Sequence, residues 1–185
     1  MLFLHGTTAS AARSIVETGF QAVDTVWTCS DPRNTYIVEV GTKYDEREAV
    51  CFACDNARIA AAKLGVQDTD IVIFGFDFPS DIADENLLPD ISCANMDDCW
   101  SIDNDTLNSL IQSGKVSCTA KVIKNAYIPY LRPFYLTQDT RSLMTLDKEL
   151  EYVCGCLENK GAIDMFYDMM FFIDFEDFNT LCDFV

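Results

Sequence analysis

The residues with the greatest chemical reach stand near the amino terminus. His5 is the sole histidine of the 185-residue chain, and Gly6 and Thr7 follow it directly. An imidazole, a residue without a side chain and a small hydroxyl in a row can hydrogen-bond a ligand and let it approach the backbone closely. Trp27-x2-Ser30-x5-Tyr36 then supplies flat aromatic surfaces and a second hydroxyl. The sequence has no glycine-rich phosphate loop, G-x-S-x-G elbow, H-E-x-x-H motif or clear Cys–His nucleophile pairing. Glu149 and Glu151, two apart on a helix, diverge and read as solvated charges. One histidine excludes a histidine-rich metal site. Cys51-x2-Cys54 and Cys154-x-Cys156 offer four sulfurs to zinc, yet Cys51 and Cys54 fall in an alanine-rich helical run, where cysteine serves as a small core residue. Plain structural readings stand beside the functional ones: a satisfied strand-end histidine at His5, core aromatics at Trp27 and Tyr36.

Positioning these groups requires a strand and a helix. Leu2 to Leu4 is a short apolar strand that hands over at His5-Gly6-Thr7 to a helix over Ala9–Thr18, capped by Thr7 or Thr8 and stopped at Gly19. Ala12, Ile15 and Val16 share its inner face. Thr25–Thr28 reads as a second strand, and Tyr36–Val40 as a third or as the opening of a helix. Glu46 to Gly65 is helical, with alanines that let it lie close against a sheet. Asp70 to Phe78 is a continuous apolar run stopped by Pro79, a central strand. Ser80 to Asp105 reads as a long acidic loop with one helical turn. Asp105 caps a helix over Thr106–Ser113, closed by Gly114. Lys115–Lys124 alternates, with Val116, Cys118, Ala120 and Val122 on one side, and Tyr127–Leu131 and Phe134–Leu136 are final strands that Pro129 and Pro133 push toward an edge. Leu146–Asn159 is an amphipathic helix, and the aromatic, acidic tail from Ala162 packs as helices.

Composition narrows the function. Thirteen lysines and arginines against 30 acids give a formal charge of −17, so a phosphate backbone or an anionic membrane is repelled. The excess is local. Eight acids lie between Asp81 and Asp105 and six from Asp164 onward, with no lysine or arginine in either stretch. That pattern serves solubility or presents an acidic face to a basic protein. Nine cysteines, an odd number, together with an amino terminus lacking a charged leader, point to free thiols in a reducing cytoplasm. No apolar run approaches the length of a membrane span.

Taken together, His5-Gly6-Thr7, Ala12, Ile15, Gly19 and Phe20 resemble the ADP-ribosyltransferase fold of the diphtheria-toxin and poly(ADP-ribose) polymerase type, in the form "HGT…A..I…GF". The likeness covers roughly the first 75 residues. It implies an α+β chain: a split mixed or antiparallel sheet with flanking helices over 1–144 and a helical extension over 145–185. It implies NAD as substrate, bound by His5, Gly6, Thr7, Trp27, Ser30 and Tyr36, with His5 and Tyr36 as the catalytic pair. Gly6 would let the nicotinamide carboxamide reach the backbone, Tyr36 and Trp27 would stack on the ring, His5 would hydrogen-bond a ribose hydroxyl, and Thr7 and Ser30 would orient the network. Cleavage develops oxocarbenium-like charge on the ribose.

The family's last functional strand carries a glutamate in contexts such as "NEYIVY". This chain has Asn125-Ala126-Tyr127-Ile128-Pro129-Tyr130, with Ala126 at that place. Either an acid from elsewhere substitutes, or the corner binds NAD without transferring it, or the strand aligns differently. Two function classes follow. One is an NAD-dependent mono-ADP-ribosyltransferase acting on an intracellular protein, suited to a bacterial or phage factor. The other is a catalytically silent acidic inhibitor on the same scaffold that occupies a basic, nucleic-acid-binding protein, as an anti-defence protein would. Neither binds nucleic acid directly.

Overall fold

The computed structural model describes residues 1–21, 33–41, 46–66, 70–90, 99–123 and 171–174. They form β1 (Leu2–Thr8), α1 (Ala9–Thr18), β2 (Asn34–Glu39), α2 (Glu46–Lys63), β3 (Ile71–Asp77), α3 (Ser80–Asn86), β4 (Leu88–Pro89), β5 (Cys99–Asp103), α4 (Asn104–Gln112), β6 (Ser117–Ile123) and β7 (Phe171–Asp174). The chain is α+β, with one sheet in the order β4-β5-β2-β1-β3-β6-β7. Every neighbouring pair is antiparallel. Of the mixed or antiparallel sheet expected, the described strands form the antiparallel one.

Side-chain alternation sorts the residues onto two faces. One face carries Leu4, Val38, Ile71, Ile73, Cys99 and Ile123, packed against Ala49, Phe52, Ala53 and Ala57 of α2. The other carries Phe3, Ile37, Val72, Phe74, Phe76, Ile102, Cys118, Ala120 and Val122. It is covered by α1 through Ala12, Ile15 and Val16, by α3 through Ile82 and Ala83, and by α4 through Leu107 and Leu110. Three of these four α2 positions are alanine, and the helix comes very close. A Cβ placed on Gly6 would lie 2.0 Å from the Ala53 carbonyl oxygen. Gly6 is therefore the place where β1 meets the backbone of α2.

The ends of α1 are set by local chemistry. Thr8 Oγ1 accepts a hydrogen bond from Ala11 N at 3.3 Å, so Thr8 is the cap. Gly19 closes the helix at φ +82°, its N–H donating to the Ile15 carbonyl at 2.7 Å. The cap of α4 lies earlier than Asp105. Asp103 Oδ1 accepts from Thr106 N at 2.9 Å, and the helix begins at Asn104.

Three further expectations change and one alternative is decided. His5 is not at the end of its strand, because β1 continues through Thr8 alongside β3, from Leu2↔Asp77 to Thr8↔Ile71. Tyr36 lies in a strand and does not open a helix. The stretch 80–105 is not one long loop. It holds α3, whose acids face water while Ala83 faces the core, and β4 and β5, whose short, half-polar strands carry little periodic signal. In the tail, Phe171–Asp174 is a strand that covers the edge of β6 from Thr119↔Asp174 to Val122↔Phe171, where helices were expected. An apolar β-favouring run satisfies an open sheet edge better than it satisfies a helix. The boundary at residue 144, the helix over 146–159 and the strands read over 25–28 and 127–136 lie outside the described residues.

The β1–α2 contact makes a direct prediction. Gly6→Ala drives a methyl group into a backbone carbonyl that cannot move without displacing α2. Chemical denaturation is expected to show a loss of about 3 kcal/mol or more, or failure to fold.

Candidate functional site

The two best-paired parts of the sheet meet at a short seam. β1, β3 and β6 pair along their length, and β2 pairs with β5 from Asn34↔Asp103 to Val38↔Cys99. Between β1 and β2 the register holds only Phe3↔Glu39 and Leu4↔Val38, extended by Val40 N donating to Leu2 O at 2.9 Å. Counting on, His5 stands opposite Ile37, Gly6 opposite Tyr36 and Thr7 opposite Thr35. There the ladder does not continue.

The His5 side chain occupies the break. Its Nδ1 lies 2.9 Å from the Tyr36 carbonyl oxygen. The alternation that points the backbone groups of Leu2 and Leu4 toward β2 also points those of Gly6 that way, so the ring takes the carbonyl opposite Gly6 and leaves Gly6 outside the ladder. A carbonyl only accepts, so Nδ1 carries the proton and Nε2 presents a lone pair. Nε2 has no partner among the described residues. Burial lowers the imidazole pKa below its ordinary 6.5, against the smaller raising effect of the Tyr36 carbonyl. The ring is neutral at pH 7. Aromatic neighbours fix its plane: Phe20 edge-on at 5.9 Å between centroids and Phe74 stacked at 6.5 Å.

The sequence-selected residues divide. His5 and Thr7 project on the face of α1 and α4, and the Thr7 hydroxyl has no described partner. Gly6 contributes backbone toward β2 and a flat back against α2. Tyr36 is brought to His5 by its backbone carbonyl, whereas its side chain leaves β2 on the opposite face, the face of α2, together with Val38. It does not share a wall with His5. Trp27 and Ser30 lie outside the described residues, as does Ala126. Cys54, a residue of α2, is buried, and the described residues contain no group of three histidine, cysteine or acidic side chains able to hold a metal.

Sequence reasoning passed over three contributors. Phe20 belonged to the helix-ending motif but was not taken as a neighbour of His5. Asn108, in the middle of α4, clamps it: Asn108 Oδ1 accepts from Phe20 N at 2.9 Å, and Nδ2 donates to Phe20 O at 2.8 Å. The Thr35–Asn104 pair, joined by Thr35 Oγ1 donating to Asn104 Oδ1 at 2.7 Å, lies on the His5 face of β2, and both residues are buried. An asparagine beside a helix cap and a threonine in a strand are the only sequence signals for it. Among the described residues, the buried carboxylate is Glu39, which accepts from Trp100 Nε1 at 3.1 Å at the closed end of the seam. No described helix is long and apolar enough to cross a membrane. The chain matches no protein-family model, no curated protein and no solved structure.

Because the folded pKa of His5 is depressed, the unfolded chain binds a proton first as pH falls. Stability on this account is complete above 6.5 and declines as pH drops toward the folded pKa, with a slope of up to about 1.4 kcal/mol per pH unit, then levels. His5→Asn retains a donor for the Tyr36 carbonyl and removes the titration. Denaturation midpoints measured across this range should slope in the wild type and flatten in the variant, and the lone imidazole resonance should titrate below 6.5.

Proposed function

We propose that this chain binds NAD at the opening between β1 and β2 and acts as a mono-ADP-ribosyltransferase-like protein on a protein target. The observation that carries the reading is the state of His5: a neutral ring whose Nδ1 is committed to the Tyr36 carbonyl and whose Nε2 has no partner among the described residues, next to a glycine outside the β1–β2 ladder and a threonine hydroxyl that likewise has no described partner. Nε2 accepts from a ribose hydroxyl. The backbone of Gly6, directed toward β2, meets the carboxamide of nicotinamide. Holding the sugar while its bond to nicotinamide loosens is a matter of position before it is one of acid strength.

The same geometry changes the part given to Tyr36. Its carbonyl locks the tautomer of His5, and its ring, on the α2 face, does not stack on nicotinamide. Transfer also requires negative charge near the developing oxocarbenium, and Glu39 is engaged by Trp100. Binding and transfer are therefore separable. A second reading, the acidic inhibitor of a basic protein, draws on Asp81, Asp84, Glu85 and Asp105, all exposed and none with an ion-pair partner among the described residues.

Calorimetric titration with NAD, run beside transfer of labelled ADP-ribose to lysate proteins, tests this. His5→Ala is expected to weaken NAD binding about tenfold or more, and Tyr36→Phe to change it less than about twofold. Wild-type affinity should hold from pH 8 to 6.5 and fall below, as the acceptor nitrogen is protonated. A chain that neither binds NAD nor transfers label, but associates with a basic protein in a salt-sensitive way, belongs to the inhibitor class.

A further inference from the structure

Asn104 has a half-used side chain. It is the first residue of α4 and is 5% exposed. Its backbone N donates to the Arg33 carbonyl at 2.8 Å, and its Oδ1 accepts from Thr35 Oγ1 at 2.7 Å. Those two bonds account for its work in tying the start of α4 to the start of β2. They leave Nδ2, a two-proton donor, with no partner among the described residues. Buried amides in folded proteins are nearly always satisfied, so an unpaired one needs a reason.

Its place in the sheet supplies the reason. Thr35 lies on the same face as Ile37, and the continued β1–β2 register sets it opposite Thr7, beyond the last paired residues. Asn104 rests on Thr35 on that face. The unpaired end of the seam thus places on one face of the sheet His5, whose Nε2 accepts, Thr7, whose hydroxyl does either, and Asn104, whose Nδ2 donates. Thr35 fixes which end of the amide is presented, because its hydroxyl hydrogen is spent on Oδ1.

We infer that Asn104 is a specificity-determining residue of this site, its Nδ2 donating to a carbonyl or hydroxyl oxygen of the bound ligand. Resting on the NAD reading above, the inference adds a polar demand to it. The ligand must offer a donor to His5 and, across the opening, an acceptor to Asn104. An uncharged amide and sugar satisfy both. The three side-chain groups carry no formal charge at pH 7, so none of them neutralises a phosphate.

Asn104→Asp isolates the claim. Aspartate keeps the oxygen that accepts from Thr35, suits the first turn of a helix and exchanges the donor for an acceptor. NAD affinity is expected to fall about tenfold, while affinity in Ser109→Ala, an exposed and uncharged control on the same helix, stays at the wild-type value. In the wild-type chain, the Asn104 side-chain amide resonances should move on addition of NAD, a readout that survives even if the variant folds poorly. Wild-type affinity in Asn104→Asp, or amide resonances that NAD leaves unmoved, overturns the inference while the NAD reading stands. A wild-type chain that binds no NAD overturns that reading, and this inference with it, before any variant is made.

Discussion

A single hydrogen bond decides how β1 and β2 meet: His5 Nδ1 to the Tyr36 carbonyl. In an unbroken antiparallel ladder, the backbone of Gly6 would face that of Tyr36. A side chain has taken the place of a main-chain donor, and the pairing of β1 with β2 ends at Leu4. The substitution is tolerable because β1 is held on its other edge by β3 along its full length. It is kept in place by the surroundings of the ring. Phe20 and Phe74 crowd the imidazole, and Asn108 holds the backbone of Phe20 from both sides. Such packing leaves the ring little freedom to turn and give back the carbonyl.

The rear of the strand is constrained with equal force. Gly6 cannot carry a side chain because the Ala53 carbonyl occupies that space. Close approach of α2 fixes the depth of β1, and so fixes where the backbone of Gly6 comes to the surface of the seam. One glycine thus serves both packing and the candidate site. The alanines of α2 that make the approach possible lie on the face opposite His5, yet the position of Gly6 depends on them.

How much of this was legible in the chain differs by element. The helix over Ala9–Thr18 was marked by a threonine before it and a glycine after it, and β3 by an unbroken apolar run. β6 was marked by alternation, and Val116, Cys118, Ala120 and Val122 do join one cluster. These signals are local. β5 and β7 gave none of comparable strength, being five and four residues long and surrounded by acids or aromatics that suit several structures. The face of Tyr36 was hidden for a different reason: it depends on the register between strands far apart in sequence, and a shift of one residue reverses every side chain. The tautomer of His5 and the Thr35–Asn104 pair were hidden likewise, since each needs a partner that only tertiary pairing supplies.

On the proposed NAD reading, charge places a further constraint on the ligand. The chain carries −17 overall, and exposed Asp103 and Asp105 flank buried Asn104. A dinucleotide with an anionic pyrophosphate and a cationic nicotinamide ring is not indifferent to that field. Entry by the nicotinamide end is favoured and entry by the phosphates is opposed, although salt limits either effect to about 8 Å under physiological conditions. Protonated His5 would act against the favoured orientation, putting positive charge beside a cationic ring. The burial that keeps the imidazole neutral therefore does more than preserve an acceptor. It leaves the acidic surroundings free to set the direction in which such a ligand enters, and the uncharged groups at the seam to judge its shape.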